Sequence, residues 1–337
     1  MKKKCLITGI TGMVGSHLAD FILANTNWKI YGLCRWRSPL DNVEHLFNHI
    51  NKGKRLFFEY GDLTDQNSLD LVVSKVKPDY VFHLAAQSYP QTSFNESTTT
   101  YNTNILGTSR LLESIKKFGL NPIIHICSSS EVFGRVSKKD LPIDENCSFH
   151  PASPYAISKI GTDLISKFFF EAYGLKTLTT RMFTHTGPRR GDVFAESSFA
   201  KQIAMIEKKI IPPIIYTGNL KSLRTYADVR DAIEAYFLLV TKSKSFGESY
   251  NIGGSYSCTV GEMLDYLISK SKFKGKITVK KDAKRFRPID ADLQIPNMNK
   301  FCKKFNWKPK YSFEKTMTDL LNYWREKIDK KDSFIVR

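Results

Sequence analysis

Thr8-Gly-Ile-Thr-Gly-Met-Val-Gly15 follows the short apolar run Lys4-Cys-Leu-Ile and opens a stretch with His17, Leu18, Phe21 and Ile22 at helical spacing. A buried strand, a glycine turn and a helix in that order predict a nucleotide-binding βα unit. The spacing is G-x-x-G-x-x-G, and the physics is that of the G-x-G-x-x-G fingerprint. Small residues turn the chain tightly, and the helix N-terminus then faces a pyrophosphate. Thr8, Gly9, Thr11, Gly12, Met13, Val14 and Gly15 are the candidate cofactor-binding turn. Further along stands Ser153-Pro-Tyr-Ala-Ile-Ser-Lys159. Tyr155 and Lys159, four apart on a helix, share one face. An ammonium beside a phenol favours the phenolate, so the tyrosine can take a proton near neutral pH. Each motif alone is weak, since an amphipathic helix often carries Tyr and Lys. The two together predict a nicotinamide enzyme with a tyrosine acid/base.

Working outward, strands are expected at 28–34, 56–60, 80–84, 122–128 and 176–182, alternating with helices at 12–24, 68–76, 104–118 and 155–173. That alternation predicts an α/β fold, a Rossmann-type doubly wound parallel sheet. After residue 183 the pattern loosens, with helices expected at 199–208, 260–271 and 313–327 and a strand at 249–253. Residues 1–183 are therefore read as the cofactor-binding domain, rejoined by the chain near 224–253. Residues 184–337 are read mainly as a smaller substrate-binding lobe. No repeat or low-complexity linker interrupts the chain.

Ends of strands are where ligands bind in such sheets. After the second strand comes Arg35-Trp-Arg37-Ser38, with no acid to hold ribose hydroxyls, so two guanidiniums suited to a ribose phosphate favour NADP. Asp62 and Leu63 follow the third strand, and Leu84, Ala85, Ala86, Gln87 and Ser88 follow the fourth. Ser128-Ser-Ser-Glu131-Val-Phe-Gly134 follows the fifth and offers a hydroxyl for the substrate oxygen and a carboxylate as a second base.

The chain has 337 residues, 42% hydrophobic, and a net charge of +18. The excess favours an anionic ligand. No nucleic-acid-binding signature accompanies it, and lysine clusters such as 2–4 and 280–284 read as solvated surface. No apolar run reaches membrane-span length, and the basic start runs straight into the first strand, where a signal peptide is expected to show a longer apolar stretch and a cleavage site. Six scattered cysteines without a C-x-x-C pair fit reduced thiols in a cytoplasm and no metal site.

The runs 8–15, 84–88 and 128–134 with Tyr155 and Lys159 together resemble the extended short-chain dehydrogenase/reductase family, in its nucleotide-sugar branch, over nearly the whole chain. Within it the chain is most similar to the GDP-mannose 4,6-dehydratases. Their Ser-Thr-Ser-Glu-Leu-Tyr-Gly run matches 128–134, with Ser129 in place of the threonine. Their Pro-Arg-Arg-Gly matches 188–191, and Arg287-Pro-Ile-Asp resembles their late Arg-Pro segment. The resemblance implies catalysis by Ser129 (or Ser130), Glu131, Tyr155 and Lys159. It places His185 and Arg190 on the cofactor, and Ser88, Ser129, Glu131, Thr184, Lys201, Arg224 and Arg287 on a GDP-sugar. It implies a 4-keto-6-deoxy product, and a homodimer or homotetramer in which residues 39–49 reach a neighbour's cofactor. Two runs depart from the dehydratases. Thr184-His-Thr-Gly-Pro188 and Leu223-Arg-Thr-Tyr-Ala-Asp-Val-Arg-Asp231 lean towards 4-keto-sugar reductases and epimerases. The sugar is thus left open between GDP-mannose and a GDP-manno-heptose. A non-catalytic nucleotide sensor is the alternative of another class, and the intact Ser/Tyr/Lys set argues against it.

Overall fold

The computed structural model describes residues 2–49 and 55–330. Residues 331–337 of the expected substrate lobe lie outside them. Strands β1 (Lys4–Thr8), β2 (Lys29–Cys34), β3 (Leu56–Tyr60), β4 (Tyr80–His83), β5 (Ile123–Cys127) and β6 (Lys176–Met182) alternate with α1 (Met13–Asn25), α2 (Gln66–Val76), α3 (Pro90–Ser93), α4 (Ser97–Tyr101), α5 (Gly107–Lys117) and α6 (Pro154–Tyr173). The chain continues through β7 (His185–Thr186), α7 (Ala195–Glu207), β8 (Ile214–Thr217), β9 (Leu223–Asp228), α8 (Val229–Lys242), β10 (Glu248–Ile252), β11 (Tyr256–Thr259), α9 (Val260–Ser269), β12 (Thr278–Lys281), β13 (Leu293–Gln294), α10 (Asn299–Phe305) and α11 (Phe313–Asp329).

Seven strands form one sheet in the order β10-β6-β5-β4-β1-β2-β3, and every pairing in it is parallel. The expected doubly wound sheet is therefore present. Both faces are covered, which is why β1 is a plain apolar run with Cys5, Leu6 and Ile7 fully buried. Helices α1 and α8 pack together on one face, and α2, α5 and α6 on the other. The chain order reverses between β1 and β4, and that switch point opens the crevice used by ligands in such sheets. β10 brings residues 248–252 back to the edge of this sheet, beside β6. A second core joins α7, α9 and α11 through Phe199, Ile203, Met263, Leu267, Met317 and Trp324. Around it lie two small sheets, β11-β9-β13 with β7 on β9, and β12-β8.

Local chemistry sets the helix that carries the Tyr/Lys pair. Ser153 caps α6 by accepting the Ala156 N–H, Pro154 occupies its first turn, and Gly174 ends it at φ 70°. The structure differs from the sequence reading before α5. The expected helix over 104–118 is preceded by α4 and a π-helical turn at Asn102–Leu106. That turn sets Asn104 so that its side chain spans Gln87 and Ser158.

Four imidazoles are held neutral chiefly by burial, His83, His125 and His185 to about 3 and His17 to about 4. A depressed value means stability that is complete above the unfolded value near 6.5 and is lost as pH falls towards the folded one. Each such group costs up to about 1.4 kcal/mol per pH unit below 6.5. Urea unfolding at pH 7 and pH 5 is expected to show a marked drop in stability at the lower pH, before ordinary carboxylates protonate. Equal stabilities would contradict the burial argument.

Candidate active site

The carboxyl ends of β1, β2, β4, β5 and β6 open on one cavity of about 1400 Å3. Its cofactor end is built on the glycine turn. Gly9 has φ +73°, and a Cβ there would lie 2.9 Å from the Ala85 backbone. A Cβ on Gly15 would stand 2.3 Å from the Gly9 carbonyl oxygen, so only glycine lets α1 start against the turn. Gly12 precedes α1, no side chain caps the helix, and no acid lies in its first turn. The first amides of α1 thus keep their donors for an anion, and Gly12 to Gly15 line the cavity. A dinucleotide pyrophosphate fits this cradle.

Two members of the expected cofactor set stand elsewhere. Thr8 is fully buried and outside the lining. Its hydroxyl accepts the Leu84 and Ala85 N–H groups at 3.1 Å and bonds His83 Nδ1 at 2.9 Å. It ties β1 to the loop after β4. Arg37 is also outside the lining. The turn closed by Ser38 N–H on the Arg35 carbonyl (3.0 Å) leaves Trp36 and Arg37 exposed, Trp36 edge-on to Tyr60. Arg35 and Ser38 do line the cavity, as do Thr11, Asp62, Leu63 and residues 84–88. Asp62 also takes the Thr64 N–H and hydroxyl.

The chemistry-bearing residues meet at the ends of β5 and α6. Ser129, Ser130, Glu131, Tyr155 and Lys159 all line the cavity. The Tyr155 N–H donates to Ser93 Oγ, which seats the first turn of α6. Lys159 Nζ donates to the Cys127 carbonyl at 2.7 Å and lies 5.9 Å from the Tyr155 ring centroid. Burial holds the Tyr155 phenol above its ordinary value, opposed by the Ser129 hydroxyl and the charge of Arg190. Burial outweighs both, and Arg190 is a cation that opposes it. Arg190 is fixed by Glu196 (Nε to Oε1, 3.2 Å), with its guanidinium carbon 3.4 Å from the Phe194 ring centroid. The expected cofactor residue Arg190 thus also acts on Tyr155. His185 lines the same cavity and meets the Phe183 carbonyl.

At the far end, Thr184, Lys201, Arg224 and Arg287 line the cavity with Ser88 and Glu131. Lys201 is paired with Asp192 at 2.7 Å. Arg224 and Arg287 both face Glu131 and Asp290. Asp192, Phe194, Glu196 and Asp290 were missed in the sequence. Asp290 had a signal, standing three residues after Arg287 in the quoted Arg-Pro-Ile-Asp run. The others carry none short of the fold. Among the described residues no group of three or more His, Cys, Asp or Glu is placed to hold a metal, and no helix is long and apolar enough to cross a membrane.

Comparison with known proteins agrees with this arrangement. The family model described as GDP-mannose 4,6 dehydratase matches residues 6–320. GDP-mannose 4,6 dehydratase 1 of Arabidopsis thaliana is 34% identical over 324 residues, 93% of this chain and 87% of the relative. GDP-mannose 4,6 dehydratase of Drosophila melanogaster is 31% identical over 342 residues, 95% of this chain and 85% of the relative. Among solved structures, RMD from Pseudomonas aeruginosa complexed with NADPH superposes with a TM-score of 0.81 at 25% identity, covering 97% of this chain and 100% of that one. DesIV, the dTDP-glucose 4,6-dehydratase of Streptomyces venezuelae, has the same fold, with a TM-score of 0.85 at 23% identity over 97% of this chain and 98% of that one. With its glycine turn, its Ser/Tyr/Lys set and this match across almost its full length, the chain belongs to the GDP-mannose 4,6-dehydratase family of extended short-chain dehydrogenases/reductases.

Proposed function

We propose that the protein is an NADP-dependent GDP-sugar 4,6-dehydratase acting on GDP-mannose or a GDP-manno-heptose. One observation carries the reading: the Glu131 carboxylate lines the same cavity as Ser129, Tyr155 and Lys159. A reductase or epimerase needs a hydroxyl, a phenol and a lysine. Only the loss of water from C6 calls for a separate carboxylate next to them.

Tyr155 takes the proton of the sugar O4 hydroxyl while Ser129 hydrogen-bonds that oxygen. A bound oxidised nicotinamide, which Gly12 to Gly15, Arg35 and residues 84–88 would hold, would supply the hydride chemistry between C4 and C6. Lys159 and Arg190 provide the positive charge that the buried phenolate requires. Once C4 is a ketone, C5–H is acidic, and Glu131 removes that proton. Glu131 then protonates the C6 hydroxyl, which leaves as water, and the proton that Tyr155 took from O4 is given back at C5. The sum is loss of one water, with the cofactor unchanged. Arg224 and Arg287 suit the diphosphate, since planar forked donors match phosphate oxygens.

The run Thr184 to Pro188 favours a second reading, a 4-keto-sugar reductase, in which Glu131 has no role. Product analysis separates the two: a 4-keto-6-deoxy sugar nucleotide formed without cofactor consumption supports the dehydratase, and stoichiometric consumption of NADPH the reductase. Exposed apolar residues along α6 (Ile157, Leu164 and Phe168) support self-association as a dimer or tetramer. Free cysteines throughout support a cytoplasmic setting.

The cofactor choice rests on Arg35 and Ser38 at the cavity rim, where no acid follows β2. A charge-assisted contact to a ribose phosphate is worth roughly 1.5–3 kcal/mol. NADP is therefore expected to bind stripped protein about ten- to a hundredfold more tightly than NAD. Calorimetry giving equal affinities would remove the assignment.

A further inference from the structure

Glu131 must reach a C–H proton, yet its carboxylate is engaged. Oε1 lies 3.6 Å from Arg224 Nη1 and 3.9 Å from Arg287 Nη1. The same two guanidiniums meet Asp290 Oδ1 at 3.2 and 3.5 Å. The four charges come from three places in the chain: the end of β5, β9 and the segment before β13. The two carboxylates differ in how they are held. Asp290 Oδ2 also takes the Ser222 hydroxyl at 3.2 Å and Asn219 Nδ2 at 3.4 Å. Among the described residues the Glu131 carboxylate meets only the two arginines, at these longer distances. An anion competing for the guanidiniums therefore displaces Glu131 before Asp290.

We infer that Arg224 and Arg287 form a diphosphate-operated release for Glu131. They grip Glu131 in the free protein and let it go when a substrate diphosphate takes their donors. The inference rests on the dehydratase reading and deepens it. The two arginines are positioning residues, and they make the base available only when a diphosphate-linked sugar is in place. A sugar without the diphosphate meets a carboxylate still engaged. Discrimination by this route appears at proton removal, in kcat, as well as in binding.

The test is a binding cycle that needs no turnover. Inorganic pyrophosphate and GDP are titrated by calorimetry into wild-type protein and Glu131→Gln. Removing the competing charge is expected to tighten both ligands about tenfold, the size of one charge-assisted contact. The same substitution is then made in Arg224→Met and, independently, in Arg287→Met, with GDP as ligand. There the gain is expected to shrink to about threefold or less, because half of the contest is gone. A general effect of one negative charge near an anion site would instead persist undiminished in both arginine variants. The proposal fails if Glu131→Gln leaves affinity unchanged or weakens it. It also fails if the gain is equally large in the arginine variants, or if pyrophosphate does not bind the wild type. Absence of any GDP-sugar turnover by wild-type protein, read in a separate assay, would instead overturn the dehydratase reading and with it the role given to Glu131.

Discussion

Tyr155→Phe is expected to slow oxidation at C4 by about a hundred- to ten-thousand-fold, the usual loss when a general base is removed. The fold and cofactor binding should survive. The substitution deletes one oxygen from a residue that is 8% exposed, and the seat of α6 depends on backbone groups that do not change. The Tyr155 N–H still meets Ser93 Oγ, and Ser153 still caps the helix. Lys159 keeps its bond to the Cys127 carbonyl. The measurement is the transient absorbance of reduced nicotinamide on mixing with a GDP-sugar. A near wild-type rate in the variant would place the base elsewhere.

Glu131→Gln is expected to separate the two halves of the reaction. Oxidation at C4 should continue, because Ser129, Tyr155 and Lys159 are untouched. Loss of water should fall by at least about a hundredfold, since an amide cannot accept the C5 proton. The side chain keeps its size, and the Glu131 N–H to Ser129 Oγ bond (3.2 Å) belongs to the backbone. The transient absorbance of reduced nicotinamide reads oxidation at C4, and mass spectrometry of the product after reaction in deuterated water reads C5 exchange and loss of water. Full dehydratase activity in this variant would exclude Glu131 as the base. Paired with the tighter diphosphate binding expected above, the variant should lose turnover while gaining affinity, a combination that simple damage to the site does not produce.

The sheet was legible because its inner strands are buried on both faces. β1, β3 and β6 fall where the runs 4–8, 56–60 and 176–182 place them. The short strands β7, β8 and β11 to β13 were not legible. They run from two to four residues, and β12 is exposed throughout, so no periodicity announces them. α4 was missed because Ser-Thr-Thr-Thr-Tyr has weak helix propensity, which packing against α6 overrides. In the site, residues at strand ends came from local motifs, since topology alone carries a strand end to the crevice. Arg37 lies outside the cavity lining, a detail set by the four-residue turn that Ser38 closes and not by any local motif. The influence of Arg190 on Tyr155 had no local signal. It comes from a loop after β7 in which Glu196 and Phe194 hold Arg190. The Glu131, Arg224, Arg287 and Asp290 cluster is likewise assembled from three distant stretches, and only the fold brings its charges within reach.

The most direct test of the dehydratase reading follows one hydrogen. GDP-mannose and a GDP-manno-heptose, each deuterated at C4, are incubated with the protein, and the label is located by NMR. The account predicts a 4-keto-6-deoxy product from at least one of them, with the deuterium at C6 and no net change in cofactor. A product that keeps its C6 oxygen, or a label that leaves the sugar, would contradict it.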